Sequence, residues 1–201
     1  IKRETVADAA AEVARFKGAL DRTMKETEEM AADLATRVGE KEAEIMNGHL
    51  MLLMDPMLTG EVENLISGEQ ICGEYAIEQV FNMYANVFAS MDDELMQQRA
   101  TDMRDLKTRL QKVMMGVASV NIATLPAGTI LVAKDLTPSM TAGINPQNVM
   151  GIVTELGGKT SHSAILARAL EIPAVVAVTG FMEHVKNGDD VVLDGSTGVV
   201  Y

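Results

Sequence analysis

Gly157-Gly158-Lys159-Thr160-Ser161-His162-Ser163-Ala164-Ile165-Leu166-Ala167-Arg168 follows closely on the apolar run Val149-Met150-Gly151-Ile152-Val153-Thr154. The apolar run reads as a buried strand. The stretch from Ser163 to Leu170, rich in Ala, Leu and Ile, reads as a helix. Two glycines therefore turn a strand into a helix, with His162 at or just before the first helical turn. Unpaired backbone N–H groups and the positive end of the helix dipole gather there. They would hold phosphate oxygens and bias the imidazole towards its neutral, nucleophilic form. Gly157 and Gly158 would let a bulky phosphorylated group approach the backbone closely. An ordinary strand-to-helix connection, capped by Thr160 or Ser161 and carrying a solvated histidine, explains the same residues equally simply.

Around this turn the remaining β-rich runs are short and punctuated by Gly, Pro and Asp-Gly. They are Thr129 to Ala133, Ala174 to Val178, Asp190 to Asp194 and Gly198 to Tyr201, with a short helix expected over Pro138 to Ala142. Together they predict a compact α/β unit. Upstream the pattern changes. Val6, Ala9, Val13, Phe16, Leu20, Met24, Ala31, Leu34 and Val38 recur every three or four residues and predict one long amphipathic helix, with Thr5 and Asp8 resembling a capping box at its start. Four more helices are expected. The first covers Glu40 to Met54, and the second opens at Asp55-Pro56 and ends near Ser67-Gly68. The third is built on Ile77, Val80, Phe81, Tyr84, Val87 and Phe88. The last is capped by Asp92 and ends at Gly116. The fold class is thus α+β / α/β, with a helical-bundle subdomain over 1–118 and an α/β subdomain over 119–201.

The 201 residues suffice to bury a sizeable core. A single cysteine, Cys72, excludes an internal disulfide and suits a reducing cytoplasm. No run approaches the length of a membrane span and no signal pattern opens the chain. The chain starts at Ile1 and reads as a piece of a longer protein. The net charge of −12 is concentrated: residues 40 to 94 carry twelve acids against one base, Lys41. Nucleic acid is excluded as a partner by the lack of clustered Lys and Arg. A basic protein would be steered towards this segment, which as a plain solvated helix surface has the same composition.

With the His162 turn, the acidic bundle and the α/β unit taken together, the chain resembles the amino-terminal phosphohistidine domain of the Enzyme I family, the phosphoenolpyruvate-protein phosphotransferases of the bacterial sugar phosphotransferase system. The pattern Gly-Gly-x-Thr-x-His followed by small residues and an arginine is matched from Gly157 to Arg168. Pyruvate phosphate dikinase and phosphoenolpyruvate synthase share that pattern. The helical insertion narrows the resemblance, through Gly48-His49-Leu50-Met51-Leu52-Leu53-Met54-Asp55 and Gln98-Arg99-Ala100-Thr101-Asp102-Met103-Arg104-Asp105. Asp135-Leu136-Thr137-Pro138-Ser139 and Glu171-Ile172-Pro173-Ala174 add to it.

The resemblance implies that His162 takes a phosphoryl group on Nε2 from phosphoenolpyruvate and passes it to a histidine of the phosphocarrier HPr. It implies Thr141 as the hydroxyl that binds Nδ1, and Gly157, Gly158, Thr160, Ser161 and Arg168 as the surrounding loop. It places His49, Met51, Leu52, Leu95, Arg99 and Arg104 at or beside the HPr-docking surface, although each of these also reads as ordinary core or solvated helix. His184 is given no role. No metal or cofactor is expected within these residues. The family's carboxy-terminal barrel binds phosphoenolpyruvate and Mg²⁺ and makes the homodimer, so phosphoenolpyruvate chemistry is not expected of these residues alone. A strand that precedes the first helix in the family is missing, which predicts an open sheet edge. The competing readings are the swivelling domain of a dikinase or synthase, and an Enzyme I-like docking module that keeps the fold without the chemistry.

Overall fold

A computed structural model describes residues Ile1–Tyr201. Five long helices come first: α1 (Ala9–Arg37), α2 (Glu40–Leu53), α3 (Pro56–Glu69), α4 (Gly73–Ala89) and α5 (Glu94–Met115). Then β1 (Thr129–Ala133), α6 (Pro138–Ala142), β2 (Val149–Thr154), α7 (His162–Ala169) and β3 (Ala174–Val175) alternate, and the hairpin of β4 (Leu193–Asp194) and β5 (Val199–Val200) closes the chain. Single 3-10 turns stand at Ile122–Thr124 and Phe181–Glu183. The architecture is the helical bundle plus α/β region that the hydrophobic periods predict.

Packing divides the chain into two units. The first comprises Ile1–Ala35 and Ala43–Ser119; the second comprises Thr36–Glu42 and Val120–Tyr201. The expected division lies at 118/119; here Ser119 stays with the helices and the connection between α1 and α2 belongs with the α/β residues.

In the first unit, Phe16, Leu53, Leu58, Val62, Ile66, Ile77, Phe81, Met103, Leu106 and Leu110 form one buried apolar cluster. On α3, α4 and α5 they recur every three or four residues, and the buried positions of α1 and α2 do the same, so the helices bury one face apiece. Asp55 caps α3 by accepting from the Met57 N–H at 2.9 Å, with Pro56 in the first turn. Two expected caps are corrected. Asp8 alone caps α1, taking the Ala11 N–H at 3.1 Å, because Thr5 is extended and bridges Ile71 instead. Asp93 rather than Asp92 caps α5, its carboxylate accepting from Leu95 N at 2.8 Å. The helix ends at Gly116, whose φ of 68° reverses the chain.

In the second unit β1, β2 and β3 form a parallel sheet in that order, leaving β1 and β3 at its edges. β2, buried at all but Met150, is the central strand that its continuous apolar run predicts. The last three strands are shorter than their apolar runs, two residues each. A Cβ at Gly151 would come within 2.6 Å of a Leu193 methyl, which would have to turn aside. α6 and α7 follow β1 and β2 and pack against each other.

Candidate active-site turn and docking face

The turn that carries His162 is built from β2 outward. Thr154, fully buried at the end of β2, donates its hydroxyl to the Leu156 carbonyl at 2.7 Å, and Leu156 N donates to Lys134 O at 2.9 Å. These bonds fix the exit of the strand. Gly157 follows with φ +97°, a backbone conformation that favours glycine, while a Cβ there would make ordinary contact with Ser161 Oγ at 3.4 Å. Gly158 has open space around it and accepts at its carbonyl from Ser161 N at 3.0 Å. Of the two capping candidates, Ser161 is the N-cap: its hydroxyl takes the Ala164 N–H at 3.4 Å and pairs with Ser163 Oγ at 3.1 Å, while Thr160 is exposed. His162 is consequently the first residue of α7, inside the helix by one position. Its Nε2 is shielded from solvent in this conformation.

Arg168 makes a bond that its sequence position does not reveal. From the far end of α7 its Nη2 donates to the Lys159 carbonyl at 3.2 Å, spanning nine residues to tie the turn to its own helix. Its place on the exposed face leaves the rest of the guanidinium available to an anion.

Thr141 is buried on α6 and donates its hydroxyl to the Pro138 carbonyl at 2.7 Å. A hydroxyl has one hydrogen, so towards any other group Thr141 Oγ1 is an acceptor only. An imidazole that meets it must bring its own N–H. The short helix α6 is set by Thr137, whose hydroxyl accepts from Met140 N at 3.3 Å, and by Pro138 at its first position. No three His, Cys, Asp or Glu side chains converge as metal ligands.

The residues expected on the docking face divide into three groups. Met51 and Leu95 are 65% and 60% exposed, Arg104 is exposed, and Arg99 is half-buried with a guanidinium nitrogen 3.9 Å from where a Cβ at Gly48 would be. Leu52 is half-buried and packs on the apolar core. His49 is corrected outright as a surface contact: it has no exposure at all, and its Nε2 lies 3.0 Å from an Asp102 carboxylate oxygen while Nδ1 finds no partner in the protein. Asp102, also buried, accepts from Gln98 Nε2 at 3.3 Å. Further along α5, burial lowers the pKa of the Arg109 guanidinium, opposed by Asp105 and Glu26. Exposed Met54 and Met57, which the sequence reading passed over, extend the apolar face around the α2–α3 junction.

Comparison with known proteins gives this geometry a class. Residues 1–99 match the family described as PEP-utilising enzyme, N-terminal, and residues 125–198 match PEP-utilising enzyme, mobile domain. The phosphoenolpyruvate-protein phosphotransferase of Priestia megaterium is 40% identical over 200 residues, an alignment covering 100% of this chain and 35% of that protein. That of Staphylococcus carnosus is 41% identical over 197 residues, covering 98% and 34%. The NMR solution structure of an Enzyme I protein (nEIt) superposes with a TM-score of 0.85 at 40% identity, covering 100% of this chain and 82% of that one. The chain belongs to the Enzyme I family of phosphoenolpyruvate-protein phosphotransferases, and it spans about a third of the length of the curated relatives it matches.

Proposed function

We propose that His162 carries a phosphoryl group between phosphoenolpyruvate, bound by the part of the enzyme beyond these residues together with Mg²⁺, and a histidine of the phosphocarrier HPr in cytoplasmic sugar uptake. The observation that supports this most is the placement of His162 at the first position of α7, on the helix that packs against the one bearing Thr141. With its only hydrogen given to Pro138, Thr141 accepts from the Nδ1–H of His162, which leaves the lone pair on Nε2. That lone pair attacks phosphorus: the Nε2–P bond forms, the P–O bond to the enol of phosphoenolpyruvate breaks, and the departing enolate takes the bonding electrons and is protonated to pyruvate. Transfer to HPr makes a new P–N bond as the Nε2–P bond breaks. The shielded Nε2 must become exposed for either step, so uncovering it precedes chemistry. The amides at the start of α7 then receive phosphoryl oxygens.

The exposed apolar side chains Met51, Met54, Met57 and Leu95, in an acidic segment, suit a basic partner that binds and leaves at each turnover. Full-length homodimerisation is assigned to the region beyond these residues. The test is incubation of the 201-residue chain with phosphorylated HPr, followed by mass spectrometry at alkaline pH, where phosphohistidine survives. One phosphoryl group is expected on the wild type and none on His162→Ala. Equal labelling of both rejects the assignment.

A further inference from the structure

We infer that Arg37 is a positioning residue for the phosphoryl-transfer centre, holding α6 so that Thr141 is offered to His162; this rests on the role proposed for Thr141. Arg37 is the last residue of α1 and lies in Thr36–Glu42, the connecting segment that packs with the α/β residues. Its guanidinium is half-buried. Nη1 donates to the Ile144 carbonyl at 2.5 Å and Nη2 to the Ala142 carbonyl at 2.9 Å.

Those two carbonyls flank the end of α6. A five-residue helix has almost no stability of its own, because forming its first turn fixes several residues for one or two hydrogen bonds. Its last carbonyls also need partners from outside the helix. Gly143 N and Ile144 N turn back to Met140 O and Thr141 O, at 3.2 and 3.1 Å. Ala142 O and Ile144 O go to Arg37. At the other end the Thr137 hydroxyl holds the first turn. Thr141 sits between these two anchors, one residue from Ala142, in a site where it is 5% exposed. The planar fork of arginine matches two carbonyls two residues apart; a lysine ammonium reaches one of them well. Arg37 touches neither the phosphoryl group nor its donor in this scheme. It acts through the end of α6.

The tautomer of His162 reports this directly, without any partner protein. In the 201-residue chain, long-range proton–nitrogen NMR above the imidazole pKa should show His162 mainly as the Nδ1–H form. Arg37→Met is expected to lower the Nδ1–H to Nε2–H ratio about five- to tenfold, the weight of one neutral hydrogen bond. Thr141→Val should lower it as much, Arg37→Lys and Arg37→Gln by an intermediate amount, and the exposed control Arg22→Met not at all. If Thr141→Val shifts the ratio and all three Arg37 variants match wild type, the inference about Arg37 is overturned and the role of Thr141 stands. If neither position shifts it, both are overturned. Should Arg37→Met lose the dispersed methyl signals of Ile144 and Val153, the Lys and Gln variants decide. The phosphorylation of His162 is judged separately by the labelling experiment.

Discussion

Replacing Asp102 by alanine should cost the helical unit about 3 to 4 kcal/mol, far more than an aspartate on a charged helix would ordinarily be worth. The reason lies in His49. Its ring is fully buried, Nδ1 already lacks a protein partner, and the Asp102 carboxylate 3.0 Å from Nε2 is its only hydrogen bond. Removing the carboxylate forfeits a hydrogen bond to a charged acceptor, about 1.5 to 3 kcal/mol, and leaves a second orphaned ring nitrogen at about 1 to 3 kcal/mol. These terms overlap, since both count the same lost partner. Gln98, half-buried, can turn its amide to water and adds little. The assay is urea unfolding followed by circular dichroism at 222 nm, since the chain has no tryptophan. His49→Leu with Asp102→Leu should recover most of the loss, giving a coupling energy of about 2 kcal/mol. A cost below about 1 kcal/mol for Asp102→Ala, or a double variant as unstable as the two singles summed, would refute the reasoning.

Three further outcomes are expected. Gly157→Ala forces a side chain into φ +97° beside the capping hydroxyl of Ser161, and should destabilise the α/β unit by about 1 to 3 kcal/mol in chemical denaturation while slowing labelling of His162; an unchanged midpoint would show the turn to be plastic. Leu95→Ala, at a 60% exposed position, should leave the melting temperature unchanged and weaken HPr binding about tenfold, mostly through faster dissociation measured by surface plasmon resonance. Unchanged affinity would remove Leu95 from the docking face. Hydrogen bonds from Thr197 and Ser196 hold the Asp194 carboxyl down from 3.8 to about 2. A folded pKa below the unfolded one makes the turn's contribution complete above about pH 3.8 and lost as pH falls through about 2. Carboxyl carbon NMR should therefore find the Asp194 midpoint near 2 and, in Thr197→Val with Ser196→Ala, raised part of the way towards the ordinary value, since the backbone N–H groups of both residues still donate to the carboxylate; a midpoint that stays put would refute the side-chain hydrogen-bond account.

Much of the architecture was legible because it rests on local repetition. Most of the stripe from Val6 to Val38, the Asp55-Pro56 start and the Gly116 stop rest on residues a turn or two apart and found their places, although Val6 and Val38 fall just outside α1 and Val6 N donates to the Gln70 carbonyl. The same holds for the Gly157 turn and Ser161. What escaped was non-local. Thr5 failed as a cap because Ile71, distant in sequence, claims its backbone. His49 was readable as a helix-face histidine, but nothing nearby announced Asp102, fifty-three positions on, as the partner that takes it out of the surface. Arg37 looked like any basic residue in a last helical turn, since the carbonyls it satisfies lie more than a hundred residues away. Arg168 was close enough in sequence to guess at, but a bond to a main-chain carbonyl depends on how the loop curls and leaves no trace in residue type.

The excursion of Thr36–Glu42 into the α/β unit bears on how these enzymes can be cut and recombined. A contiguous cassette of residues 120–201 would carry His162, Thr141 and the whole parallel sheet, yet it would leave behind the arginine that closes the end of α6. The unit that bears His162 is stitched into the chain at two separate places. Gene fusion or shuffling that preserves its order must therefore move the tip of the α1–α2 hairpin along with it.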